Sequence, residues 1–374
     1  MMNVYEKIGL KRVVNASGRV TILGVSTLSD EVAQAAIEGG QSYVVIDDLI
    51  NRAGEIISGY TGGEDSCVTS SASAAICLTI AGLISRGKKS IIDRLPDSTG
   101  LPNEIVLQKG HSIDYGAPMP TMIRLGGGVP VEAGTANEVV PEDIEEAITE
   151  NTVALFYVKS HHCVQKGMVD IETMRDIAHR HNLPLMVDAA AEEDFRKYIA
   201  LGADLVIYSG AKALEATTSG FVTGKREYIS YIKKQYHGIG RPMKIGKEGI
   251  MGLLKALDRY ENKDREKEVA GNIAKVQYLC EEINKIPGLK AEQIQDEAGR
   301  AIYRARVTLD ASGNAQGENT RTADQINQEL RNGDPKIYAR TEFLNLGKID
   351  FDPRPLVDGD KELIVKRLRE IMEG

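Results

Sequence analysis

Two apolar runs follow each other closely in this chain, Leu183-Pro184-Leu185-Met186-Val187-Asp188 and Leu205-Val206-Ile207-Tyr208-Ser209-Gly210-Ala211-Lys212, and each stops abruptly in polar or small residues. An apolar run without alternation suits a strand covered on both faces, as in a parallel sheet flanked by helices. The abrupt ending is what such a strand shows where its C-terminal end opens into a crevice. Cys67-Val68-Thr69, Glu104 to Leu107, Met122 to Leu125, Thr152 to Val158 and Phe221 to Gly224 read as further strands. Between them the apolar spacing turns helical, from Val44 to Tyr60, from Ala74 to Ile84, after Pro141, and through Ile171, Met174, Ile177 and Ala178. This alternation predicts an α/β fold built on a mostly parallel sheet with right-handed crossovers.

The periodicity changes along the chain and sets the expected domains. Residues 1–50 carry few long periodic segments and read as an N-terminal arm packing on another domain or subunit. Residues 51–245 form the large domain. Residues 246–374 form a smaller α+β domain: charged helical sequence from Lys247 to Lys285, a half-exposed strand from Ala301 to Leu309, and a helix opened by the capping box Thr322 with Gln325. Strands over Ile337–Arg340 and Lys348–Phe351 and a closing helix from Lys361 to Met372 complete it.

At 374 residues, 42% apolar and 27% charged, the chain is an ordinary globular protein with room for a large core. Its net charge of −8 gives no broad footprint for nucleic acid, although a local basic patch suits a phosphorylated metabolite. The 4 cysteines have no CxxC spacing, which fits free thiols in a cytoplasmic setting. No apolar run reaches the length of a membrane span, and the first residues show no secretory segment.

The two opening runs bring out a carboxylate, Asp188, and an amine, Lys212. Taken singly, Asp188 also reads as a helix cap and Lys212 as a surface amine. Together they match the needs of pyridoxal 5'-phosphate, whose aldehyde takes a lysine as a Schiff base and whose ring nitrogen pairs with a carboxylate. Ser70-Ser71-Ala72-Ser73 lies between a strand and a helix, where backbone N–H groups and the helix dipole make an anion site. Lys109-Gly110-His111 leaves another strand end; His111 reads either as a loop residue or as part of the site. Ser160 and His161 leave a strand end near the expected ring. His161-His162-Cys163 and His179-x-His181 do not match a closed zinc set, so no metal is expected. Gly126-Gly127-Gly128 reads as a turn. Arg241, Lys244 and Lys247 are the best basic cluster, either a solvated helix start or a clamp on a substrate phosphate. Arg340 and Arg354 stand in the C-terminal domain with the fork geometry that suits a substrate carboxylate.

The order of Asn15-Ala16-Ser17-Gly18, Ser70-Ser71-Ala72, Lys109-Gly110-His111, Val187-Asp188, Ser209-Gly210-Ala211-Lys212, Gly333-Asp334-Pro335 and Asp352-Pro353-Arg354 resembles the family of the bacterial L-seryl-tRNA(Sec) selenium transferases. The densest part of the resemblance runs from Gly202 to Gly220. It implies a fold-type I pyridoxal-phosphate enzyme with a seven-stranded-type sheet. Lys212 is then the Schiff-base lysine and Asp188 the partner of the ring nitrogen. Ser70, Ser71 and Ala72 cover the phosphate, Ser209 adds a hydroxyl, and His111 stacks on the ring. Arg19, after the Asn15 motif, joins the expected substrate residues. The chain reaches the Asn15 motif almost at once, so the extra N-terminal domain of the tRNA-acting enzymes is expected to be missing. Histidine at 111 replaces their usual acidic residue. Both departures point to the D-glucosaminate-6-phosphate ammonia-lyase branch.

The expected activity is α,β-elimination from a phosphorylated amino sugar acid, with Lys212 taking the Cα proton and His111 or His161 protonating the departing hydroxyl. The alternatives are selenium or sulfur transfer to seryl-tRNA, and a non-enzymatic assembly or regulatory subunit. The partners expected are a small phosphorylated substrate and a second copy of the chain, in a homodimer or a ring of dimers with Asn15 to Arg19 near a cofactor; neither nucleic acid nor membrane is expected.

Overall fold

The computed structural model describes residues 3–160, 162–296, 300–309 and 321–373. It divides into two compact units: residues 28–262, and the residues up to Thr27 together with those from Lys263 onward. The chain starts with β1 (Val13–Ala16), α1 (Asp30–Gln41), α2 (Ile46–Thr61), β2 (Asp65–Thr69), α3 (Ala72–Ser85), α4 (Lys89–Ile92), β3 (Glu104–Gln108), α5 (Met119–Leu125) and β4 (Val129–Ala133). It continues with α6 (Pro141–Ala147), β5 (Thr152–Val158), α7 (Ile171–Arg180), β6 (Leu185–Asp188), α8 (Lys197–Ala200), β7 (Leu205–Ser209), β8 (Gly220–Gly224), α9 (Arg226–Lys234) and α10 (Lys247–Glu261). The last elements are α11 (Arg265–Ile283), β9 (Leu289–Gln295), β10 (Tyr303–Leu309), α12 (Ala323–Asn332), β11 (Lys336–Ala339), β12 (Lys348–Phe351) and α13 (Asp360–Glu373).

In the 28–262 unit a seven-stranded sheet runs in the order β2-β8-β7-β6-β5-β3-β4. Strands β4, β3, β5, β6 and β7 are parallel; β8 is antiparallel to both β7 and β2. Val106, Leu155, Val187, Val206 and Tyr208 face one core with residues of α2, α7 and α10. Ile105, Leu107, Phe156, Met186 and Ile207 face a second with residues of α3 and α9. A sheet covered on both sides explains why its strands read as unbroken apolar runs. Helix α3 is buried from Ala74 to Ser85.

Met122 to Leu125 is helical, contrary to the strand expected there. Pro120 stands in the first turn, where its missing N–H costs nothing, and buried Met119 and Ile123 lie one turn apart on the same face. The three glycines after it form a turn that lies close over α3: a Cβ on Gly126 would stand 2.6 Å from the Cys77 carbonyl oxygen.

The units differ from the expected spans 51–245 and 246–374. Helix α1 packs along α10, where Lys255 and Arg259 both lie 3.6 Å from Glu31 and Gly39 lets Met251 approach. The pairing draws residues 28–50 and 246–262 into the large unit. In the other unit β1 pairs in parallel with β11, Val13 to Ala16 against Lys336 to Ala339, which fixes the N-terminal segment on C-terminal sequence. Strands β12-β10-β9 form an antiparallel sheet. Its core gathers Val276 and Leu279 of α11, Ile326 of α12 and Leu368 of α13. The capping box forms as expected: Gln325 N–H donates to Thr322 and Thr322 N–H donates to Gln325. No helix among the described residues is long and apolar enough to cross a membrane. The loop expected near Asn314 to Thr320 lies outside the described residues.

Candidate active site

Strand register gathers the site at one edge of the seven-stranded sheet. Val158 of β5 pairs with Asp188 of β6, and Asp188 with Ile207 of β7. Ser209 at the end of β7 pairs with Gly220, which pairs on its other side with Thr69 at the end of β2. The C-terminal ends of β2, β5, β6 and β7 therefore open together, as the ligand-binding edge of an α/β sheet does.

Asp188 is 8% exposed, and one of its oxygens accepts from the Ala190 N–H at 3.0 Å. Burial pushes its carboxyl above the usual range, with the nearby Lys212 charge pulling it back. Among the described residues no cation stands within 4 Å of it. A buried carboxylate without a cation is costly, and a pyridinium N–H is the kind of donor that would relieve it. Lys212 follows β7 in a tight turn in which Gly210 O accepts from Ala216 N–H and Lys212 O from Glu215 N–H. Gly210 gives room there, since a Cβ would stand 2.2 Å from the Ser219 hydroxyl oxygen and push that side chain aside.

Ser71 caps α3, its hydroxyl accepting from Ala74 N–H at 3.0 Å, and the Thr69 hydroxyl donates to the Ser71 carbonyl at 2.8 Å. Ser70, Ser71 and Ala72 are half-buried at the start of a 14-residue helix, where its first N–H groups point outward. Asp188, Lys212 and this loop together fit pyridoxal phosphate: an acid for the ring nitrogen, an amine for the aldehyde, and a helix start for the phosphate.

His111 is 2% exposed. Its Nδ1 accepts from the Val158 N–H at 3.3 Å, which puts the ring proton on Nε2, and its ring meets Tyr157 edge-on at 4.7 Å. Burial, helped by the Lys159 charge, pushes its pKa down to about 4. A neutral imidazole is a poor acid near neutral pH and can pack on an aromatic ring, so the lowered pKa speaks against the acid role. Ser160 is half-buried after β5, its hydroxyl accepting from His162 N–H at 3.2 Å, and Ser209 is half-buried at the end of β7. His161 lies outside the described residues. Cys163 is buried nearby and its thiol is pushed up to about 12. Among the described residues no group of three His, Cys, Asp or Glu could hold a metal; His179 Nε2 lies 3.0 Å from the buried Asp204.

The basic residues fall in both units. Lys247 donates to Gly40 O at 2.7 Å and to Ser42 O, and its ammonium lies over the Tyr43 ring, so it caps the end of α1. Arg241 and Lys244 are exposed ahead of α10. Arg19, Arg340 and Arg354 belong to the other unit. There Arg354 grips Asp352 with two nitrogens, at 3.0 and 2.8 Å, and Arg340 donates to Glu342 at 2.6 Å. Arg19 is half-buried. Asn15 forms a turn with Ser17 and Gly18, and Gly18, at φ +95°, lies close to Asp352 and Arg354.

One side chain at this edge is not marked by the sequence, Tyr115 in the loop after His111, whose hydroxyl meets that of Ser73 in the serine run. Tyr115 stands in an ordinary polar loop, and nothing in its neighbours marks it.

The model of the L-seryl-tRNA selenium transferase family matches residues 13–330. The chain belongs to that family. It is 48% identical to a D-glucosaminate-6-phosphate ammonia lyase of Salmonella typhimurium, over 99% of this chain and 98% of the relative. It is 41% identical to a 5'-C-glycyluridine monooxygenase-decarboxylase of a Streptomyces species, over 98% and 92%, and 26% identical to an L-seryl-tRNA(Sec) selenium transferase of Aquifex aeolicus, over 98% and 85%. A solved structure of D-glucosaminate-6-phosphate ammonia-lyase superposes with a TM-score of 0.93, covering 100% of this chain and 99% of that one at 48% identity. An aspartate aminotransferase from Thermus thermophilus, at 18% identity and a TM-score of 0.53, shares the fold. The fold is thus the α/β one expected from the strand runs, and the chain stands nearer the ammonia lyase than the selenium transferases.

Proposed function

We propose that this protein is a pyridoxal-phosphate-dependent lyase that eliminates water from a phosphorylated amino sugar acid of the D-glucosaminate 6-phosphate type and, after water is taken up again, releases ammonia, leaving a 2-keto-3-deoxy acid phosphate. The observation that carries the reading is the full-length 48% identity to the ammonia lyase in a chain with Asp188 and Lys212 at adjacent strand ends. Pyridoxal phosphate, when bound, supplies the electron sink for a carbanion at Cα. Lys212 Nζ would hold the aldehyde and, when free, would take the Cα proton. Asp188 keeps the ring nitrogen protonated, and the start of α3 takes the phosphate. His111, held neutral, packs on the ring. The proton gathered on Lys212 Nζ is then the one available to the departing β-hydroxyl. Water leaves, the released enamine takes up water, and 2-keto acid and ammonia result, with no external oxidant or reductant.

The test is direct. Purified protein with pyridoxal phosphate and D-glucosaminate 6-phosphate should release 2-keto acid and ammonia in equal amounts, and a Lys212→Ala control should release neither. No keto acid above that control would end the lyase reading.

The 41% identity to the glycyluridine enzyme favours a second reading, an amino acid bearing a nucleoside as the substrate. Oxygen uptake with glycyluridine, and no keto acid from the sugar acid, would select it. Assembly as at least a dimer belongs to the first reading and is supported by exposed apolar residues on the large unit, Ile37 and Tyr43 to Ile46, and on the N-terminal segment, Tyr5 and Ile8. Sedimentation at micromolar concentration should give no monomer. A cytoplasmic setting is supported by four free thiols.

A further inference from the structure

The hydroxyls of Ser73 and Tyr115 lie 3.3 Å apart. Ser73 stands in the first turn of α3, whose outward N–H groups form the expected phosphate seat. Tyr115 is carried by a compact loop after His111, closed by Tyr115 N–H to Ala117 O at 3.3 Å, Met119 N–H to Ile113 O at 2.9 Å and Gly116 N–H to Asp114 Oδ1 at 2.7 Å. Its ring is half-buried and packs against the same core as α3. The loop therefore holds the phenol in place from behind. Burial and the charge of nearby Asp188 raise its pKa to about 12, so it keeps its proton and serves as a donor at every working pH.

The phenol thus stands at the helix start expected at the phosphate, on the loop that follows His111. Its hydroxyl is bonded at the α3 end and makes no hydrogen bond to Asp188. We propose that Tyr115 is a cofactor-holding residue that donates its hydroxyl to the phosphate group beside Ser73. This rests on the pyridoxal-phosphate reading above.

Absorbance titrations of the apoprotein with pyridoxal phosphate and with pyridoxal, which lacks the phosphate, test it in wild type and Tyr115→Phe. A hydrogen bond to a charged group is strong enough that its loss should weaken pyridoxal phosphate binding about tenfold or more. Pyridoxal should bind both proteins alike, and the apoproteins should melt at the same temperature. Unchanged pyridoxal phosphate affinity overturns the proposal. So does equal weakening of both ligands, with or without a fall in melting temperature, because Tyr115 would then be a packing residue. If wild type binds neither ligand, the cofactor reading itself fails, and the two failures are told apart.

Discussion

Asp188 and Lys212 leave adjacent parallel strands, and the ammonium lies near enough to oppose the rise that burial imposes on the carboxyl, yet the two form no ion pair within 4 Å. A direct salt bridge would tie up both groups. Held apart, each can face a different end of a flat ligand. Asp188→Asn keeps shape and most hydrogen bonding but removes the charge that would hold a ring nitrogen protonated. The variant should retain bound pyridoxal phosphate by absorbance and lose about a hundredfold or more in keto-acid release, the scale on which one preorganised charge acts in an active site. Normal turnover would reduce Asp188 to a cap on the Ala190 N–H.

His111 gives a pH signature. Its ordinary pKa is 6.5 and burial lowers it to about 4, so the unfolded chain binds this proton more readily than the folded one. The stability that comes from keeping the ring neutral is present above about pH 6.5 and is lost as the pH falls toward 4. At pH 5 the loss is about 2 kcal/mol from this group. Urea unfolding of the apoprotein at pH 7.5 and pH 5 should show that difference, and His111→Phe should flatten it by a similar amount. The same variant, which keeps a flat ring, should retain much more turnover than His111→Ala. Equal losses in both variants would point to a proton role after all.

The sheet and the Asp188–Lys212 pair were legible because both depend on local sequence: unbroken apolar runs mark strands covered on both sides, and their polar ends mark the crevice. What the sequence leaves open depends on contacts distant in sequence. Met122 to Leu125 is apolar enough for either element, and only Pro120 and the seating of Met119 and Ile123 make it a helix. The unit boundaries at 28 and 262 follow from α1 lying on α10, two segments far apart in the chain. Lys247 reads either as a solvated helix start or as part of a phosphate clamp because it stands near Arg241 and Lys244 in sequence. Its partners, Gly40 O and Ser42 O, are invisible from there. Tyr115 was missed for the same reason, since its meaning comes from Ser73.

Lys247→Ala separates the two readings of that lysine. As a cap on the carbonyls ending α1 it should contribute about 1 kcal/mol to stability. The melting temperature should fall with the Michaelis constant for the phosphorylated substrate unchanged. A rise of about tenfold in that constant at unchanged melting temperature would return Lys247 to the substrate.

Gly220 tests the phosphate seat without removing any polar side chain. It lies between Thr69 and Ser209 in the sheet, and a Cβ there would stand 2.5 Å from the Ser71 carbonyl carbon and 2.6 Å from the Ala72 nitrogen. Both are backbone atoms, so no side chain can swing aside; the Ser71-Ala72 peptide has to move, and with it the first N–H groups of α3. Gly220→Ala should therefore weaken pyridoxal phosphate binding by about tenfold or more and cost about 1–3 kcal/mol of stability, as overpacking does. Gly59→Ala is the matched control. That glycine is in the exposed interior of α2 with nothing within 4 Å of a Cβ, so alanine there should stabilise the fold by about 0.5–1 kcal/mol and leave cofactor affinity alone. Titration of both apoproteins by absorbance, with melting curves alongside, decides the matter. If Gly220→Ala loses stability but binds pyridoxal phosphate as tightly as wild type, the start of α3 is not where the phosphate sits.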